Sequence, residues 1–259
     1  MIRRPSRLAA RALLATLLAV QAFAFGVAPA SAADKGYALD LAAKGDYVAQ
    51  SNFVQCVGAS MQMMLNIINP TNDRTARTQL RLQNIARELS GTRSDGQQRK
   101  GASVRGWSAG LNQLGAGPYR LVGADTLDQA LRLAATSIRQ THRPVGLLVW
   151  RGRHAWVMSG FEATADPLKT GDFTVTAAIV MDPLYPHGSA VWGPSPKPRQ
   201  AVTPQVLGRQ FVPRRGNASW PGNPIDPSAQ RTMAGLSGKY VLVLPYDAIR
   251  ASRLFHVAR

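Results

Sequence analysis

The chain holds one cysteine, Cys56, so it must fold without an internal disulfide and without a cysteine-built metal site. Its stability has to come from an apolar core, and at 259 residues with 45% hydrophobic side chains it has enough for one full domain. The thiol itself is then either packing or chemistry. A buried cysteine taken alone reads as a small apolar side chain, so the residues that accompany it have to decide.

At the N-terminus Arg3, Arg4, Arg7 and Arg11 precede an apolar run from Ala12 to Ala28, followed by Ala30-Ser31-Ala32. Charged region, hydrophobic region and small-residue cleavage site together predict a secretory signal, residues 1–32, cut after Ala32. The expected product is a domain of residues 33–259 that is secreted or held in the periplasm or cell envelope, with no membrane span once the signal is gone. Removing the signal's four arginines takes the net charge from +17 to +13. Such a balance favours an anionic partner. The basic residues are scattered, with Arg214-Arg215 and Lys197-Pro198-Arg199 the small clusters, and neither a zinc-finger nor an arginine-rich helix pattern occurs. No specific nucleic-acid partner and no cofactor are expected, and the domain reads as a monomer.

Residues 33–55 are short and mixed and read as a lead-in, with 33–46 open to reading as a propeptide. From Cys56 to Ile68 the chain is apolar on nearly every side, which predicts a helix buried all round. Asn69-Pro70 ends it, because the residue before proline disfavours helical dihedrals. Further helices are expected over 75–89, 104–114 and 127–140, the last with Thr126 as N-cap and Asp128 near its positive end. Four strands are expected after that, over 144–150, 154–162, 173–181 and 239–245. Helices first and an antiparallel sheet later make an α+β fold. Residues 183–237 hold ten of the seventeen prolines and little periodicity, apart from a short helix near 203–211, and read as a surface insertion.

A hairpin that pairs His154 directly with Asp182 would turn at residue 168, inside Ala165-Asp-Pro-Leu-Lys-Thr-Gly-Asp172, which has the Pro and Gly of a turn. Opposed residues share a face of the sheet with Cβ atoms about 4.5–5.5 Å apart. A carboxylate there would fix the imidazole tautomer and leave the other ring nitrogen for a thiol proton. Cys56, opening a helix, would have its thiolate favoured by the helix dipole and a nearby imidazolium. Its N–H and the side chain of Gln50, six residues before it, are the candidate donors to an oxyanion.

On these residues the chain resembles a papain-like cysteine peptidase: Gln50 before Cys56 at the head of a buried helix, His154 in Gly-Arg-His-Ala-Trp-Val-Met-Ser-Gly, and Asp182 in Ile-Val-Met-Asp-Pro. It is most similar to the bacteriocin-processing, double-glycine type and its free-standing relatives. The resemblance implies N-terminal helices packed on an antiparallel sheet. It also implies Cys56 as nucleophile, His154 as base, Asp182 as its orienting carboxylate and Gln50 as oxyanion donor. The activity implied is that of a bacterial thiol hydrolase cutting a peptide or isopeptide bond through a thioester, with a peptide or protein substrate such as cell-wall peptide or another anionic target.

Several residues are rivals. Gln55 competes with Gln50 for the oxyanion. His142, His187 and His256 rank below His154, and His187 is a candidate for the site rim. Trp156 either walls the site or joins the core. Asn217-Ala-Ser219 matches a glycosylation sequon. Two other functions share these residues: a transglutaminase-like acyl transferase, suggested by His154-Ala-Trp156, and an inactive binding module on the same fold.

Overall fold

Among the described residues seven strands form one sheet, and helices pack on both of its faces. The structure is a computed structural model that describes residues 36–91, 100–215 and 235–247. The expected signal segment and cleavage site, the sequon at Asn217 and His256 lie outside the described residues.

In chain order the elements are β1 (Tyr37–Asp40), a single 3-10 turn, α1 (Cys56–Ile68), α2 (Ala76–Glu88), α3 (Val104–Gln113), β2 (Tyr119–Ala124), α4 (Leu127–Thr141), β3 (Val145–Val149), β4 (His154–Ala163), β5 (Val175–Met181), β6 (Gln200–Val202), the short α5 (Pro204–Leu207) and β7 (Tyr240–Pro245). All strand pairs are antiparallel, in the order β2-β7-β3-β4-β5-β6. β1 pairs with the second half of β4, Gly160–Ala163, beyond the stretch that β3 occupies. The result is a mixed helix and antiparallel-sheet protein, α+β as expected. Among the described residues no helix is long and apolar enough to cross a membrane.

Side chains alternate across the sheet with the period of two that a strand imposes. Leu148, Ala155, Val157, Met181, Val241 and Val243 point into a core shared with Val57, Met61, Met64, Leu82 and Trp107 of α1, α2 and α3. Leu147, Val149, Trp156, Met158, Val180, Leu242 and Leu244 point the other way, into a core shared with Ala130, Leu131, Ala134 and Ile138 of α4. Covering both faces explains why β3 is buried at every position and reads as a continuous apolar run. The helices therefore do not all lie on one face.

Three strands went unforeseen. β1 and β2 interleave with the helices, so the order is not helices first and sheet later. The lead-in 33–55 contributes β1, whose Asp40 accepts from Ser159 Oγ at 2.8 Å and from Arg199 Nε at 2.8 Å, so this part of it belongs to the fold. The stretch 183–215 is not a structureless excursion either. It returns to the sheet edge as β6, whose Ala201 pairs with Ile179, and then forms α5.

α1 and α2 approach closely at Gly58, whose N–H donates to Gln83 Oε1 at 2.9 Å. A Cβ at residue 58 would fall 2.7 Å from the Gln79 carbonyl and 2.9 Å from Gln83 Cβ. Gly58→Ala gains about 1 kcal/mol of helix propensity but forces backbone apart, an overpacking cost of about 1–3 kcal/mol. The clash is against main chain and should win. We expect a lower Tm in thermal unfolding; an unchanged or raised Tm would mean that the helices separate freely.

Candidate functional site

α1 starts at Cys56 with Gln55 as its N-cap residue, and no side chain caps it. The first intrahelical bond runs from the Ala59 N–H to the Gln55 carbonyl at 3.0 Å, so the N–H groups of residues 56–58 lack helical partners. Gln83 takes that of Gly58. Those of Cys56 and Val57 have no acceptor among the described residues. One helical turn beyond Cys56, the buried Ser60 donates its Oγ to the Ala155 carbonyl at 3.2 Å. That tether holds the head of α1 against the start of β4, and with a period of 3.6 it sets Cys56 on the side facing His154.

His154 and Asp182 meet. His154 Nε2 lies 2.6 Å from Asp182 Oδ1, the ring 4% exposed and the carboxylate fully buried. The pairing is not the direct opposition expected from a turn at residue 168. Val157 pairs with Met181 and Ala163 with Val175, a register in which Asp182, one residue past β5, would oppose Trp156. Two compensating bulges, at Met158/Gly160 and Glu162/Ala163, leave this register in place along the hairpin. The offset from His154 is two residues, which keeps both side chains on one face as diagonal neighbours.

Asp182 is saturated with donors. Beside His154, Oδ1 accepts from the Leu184 N–H at 2.8 Å and Oδ2 from Ser195 Oγ at 2.5 Å. Burial pulls the imidazole pKa down, but hydrogen bonds to Asp182 and to Cys56, with their charges, more than offset it and push it up to about 9. With Nε2 committed to the carboxylate, Nδ1 is the nitrogen left for Cys56. The structure thus brings Cys56, His154 and Asp182 together as a connected chain.

Gln50 is drawn in through its backbone, its N–H donating to the Pro183 carbonyl at 2.8 Å, next to Asp182. Its side chain gives one N–H to the Asn52 carbonyl at 2.8 Å, which leaves one amide hydrogen for another acceptor. Gln55 is buried, and the Oε1 atoms of both glutamines are buried without partners. Trp156 belongs to the core on the α4 side. His142 caps α4 in the left-handed conformation and His187 is exposed in the loop after Asp182.

Comparison of the chain with known protein families, with curated proteins and with solved structures finds no match. The residues themselves have to carry the functional reading.

Sequence reasoning missed four supporting residues, Trp150, Gln210, Tyr47 and Ser195. Trp150 stacks on His154 with ring centroids 4.2 Å apart and planes 26° from parallel. Gln210 anchors it twice, accepting the indole Nε1–H on Oε1 and the Trp150 N–H on its carbonyl, both at 2.9 Å. Tyr47 donates its hydroxyl to the Tyr185 carbonyl at 2.9 Å, and burial together with the neighbouring Asp182 charge raises its pKa, so the phenol stays protonated. Ser195 and Gln210 come from the Pro-rich stretch and meet the site only through long-range folding, so no local pattern announces them.

The turn that delivers His154 is unusual. The Gly152 N–H donates to the Val149 carbonyl at 3.0 Å, and the two residues between, Trp150 and Arg151, have φ of 56° and 58°. Positive φ at both central positions is what a type I′ turn requires, and Asn-Gly is the cheap sequence for it. A bulky residue there costs about 1–3 kcal/mol. At Trp150 the stacking on His154 and the two bonds to Gln210 offset that cost.

Proposed function

We propose that the protein is a papain-like thiol hydrolase that cleaves a peptide or isopeptide bond through a thioester on Cys56. The observation that carries this reading is the buried 2.6 Å contact of His154 Nε2 with Asp182, which commits that nitrogen and turns Nδ1 to the thiol at the head of α1. Cys56 Sγ attacks the carbonyl carbon, a C–S bond forms and the carbonyl oxygen becomes an oxyanion. The Cys56 N–H and the free amide hydrogen of Gln50 are its donors. His154 gives its Nδ1 proton to the leaving nitrogen as the C–N bond breaks. A water then loses a proton to Nδ1 and attacks the thioester, freeing the acid and restoring the thiolate and imidazolium. Asp182 holds the ring throughout. The signal-like N-terminus supports an exported site of action.

The test needs no substrate, because Cys56 is the one thiol in the chain. The alkylation rate by iodoacetamide is followed against pH in the full chain and in His154→Ala. Reactivity that persists well below pH ~7 in the parent and disappears in the variant is the expected result. Titration near the free-thiol value of about 8.5 in both proteins would make Cys56 a structural residue.

A further inference from the structure

The turn carrying His154 is also basic. Arg151 sits within it and Arg153 directly precedes His154. The Arg215 N–H donates to the Arg151 carbonyl at 3.1 Å. The stem of Arg214 lies over the same turn, its Cγ 3.2 Å from where a Cβ on Gly152 would be. Arg151, Arg153 and Arg215 are exposed, and among the described residues no carboxylate pairs with any of them. The other acids of the hairpin, Glu162 in the far half of β4 and Asp166 and Asp172 past its end, lie roughly 25 Å or more away at about 3.3 Å per strand residue. Asp182 is buried with both oxygens taken. Arg151 also keeps its left-handed φ of 58°, where Asn or Gly would be cheaper, and among the described residues its side chain makes no hydrogen bond or ion pair that offsets the cost.

We infer that Arg151, Arg153 and Arg215 form a specificity rim that draws a carboxylate-bearing peptide to Cys56. The inference rests on the thiol-hydrolase reading for the choice of peptide: a thiol-imidazole pair acts on acyl carbon, so the charge to be neutralised belongs to an acyl polymer, an acidic peptide, rather than to a nucleic acid. For three unit charges acting over about 10 Å through water at low salt, the Coulomb attraction enriches an anion about fivefold over a neutral molecule.

Cys56 supplies the probe. Its rate constants with iodoacetate and with neutral iodoacetamide are measured in the full chain at 10 mM and at 0.5 M ionic strength, and again in Arg151→Gln/Arg153→Gln/Arg215→Gln. The ratio of the two rates cancels any change in the thiol itself. We expect it to fall about fivefold in the triple variant and at high salt, and polyglutamate to protect Cys56 from iodoacetamide more strongly than a DNA oligonucleotide does. In Arg151→Asn the ratio should fall while Tm holds or rises, which a purely structural arginine would not produce. A ratio insensitive to salt and to the arginines overturns the rim, and stronger protection by DNA overturns the acidic peptide as its ligand. A parent that alkylates like a free thiol sinks the hydrolase reading instead, and the ratio still reports on the rim.

Discussion

Asp182→Ala is expected to slow alkylation of Cys56 at pH 6 by on the order of 100-fold. The carboxylate is the hydrogen-bonded counter-charge of a buried imidazole whose burial alone would strip its proton. Without Asp182 the ring is neutral at pH 6 to 7, the thiol keeps its proton, and an ordinary thiol with pKa about 8.5 is roughly 0.3% ionised at pH 6. The alanine variant also abandons three buried donors, His154 Nε2, the Leu184 N–H and Ser195 Oγ, each costing about 1–3 kcal/mol. Asp182→Asn separates the two effects. Its amide oxygen still accepts from His154 and Leu184, and its nitrogen donates to Ser195 Oγ, so the fold and the ring orientation persist while the charge is lost. Circular dichroism should find the asparagine variant folded, and its reactivity at pH 6 should fall between those of the parent and the alanine variant. If the folded asparagine and alanine variants both alkylate at the parental rate, Asp182 does not govern the thiol.

Much of this arrangement can be read from the residues, and the reasons for the gaps are physical. α1 is legible because it is apolar all round and Asn69-Pro70 stops it, and its observed bounds, Cys56–Ile68, are those expected. α4 announces itself with Thr126, which accepts from the Gln129 N–H, and with an amphipathic face on Leu131, Ala134 and Ile138. β2 does not announce itself. It is an edge strand in which Arg120 and Gly123 are exposed, so the apolar run is broken. β6 is three residues long, too short to show any period. The pair His154 and Asp182 was legible from hairpin arithmetic despite the wrong register, because a slip of two preserves the face while a slip of one would have sent Asp182 to the opposite side. Trp150 was not legible, since a Trp-Arg pair is a poor type I′ sequence and the observed conformation exists only where Gln210 and the His154 ring hold it.

The pH dependence of stability tests the same ion pair with no reference to reactivity. An imidazole raised from 6.5 to about 9 on folding stabilises the native state by up to about 3 kcal/mol. The folded state binds the proton more tightly, so the contribution is fully present below pH ~6.5 and is lost as pH rises through about 9. Urea unfolding of Cys56→Ser and of Cys56→Ser/His154→Gln from pH 5.5 to 9.5 should therefore give a stability difference that is largest at the acid end and closes toward the alkaline end. The serine takes out the thiol, whose own ionisation in the folded state differs with and without His154, and the difference between the two proteins removes the carboxylate titrations that they share. The direction is what decides. A histidine buried without an effective counter-charge would be held neutral, would cost stability as pH falls below 6.5, and would make the gap narrow toward acid. Burial is the largest single influence on this ring and acts in that direction. A gap that widens toward acid therefore requires Asp182 to outweigh the burial of the imidazole.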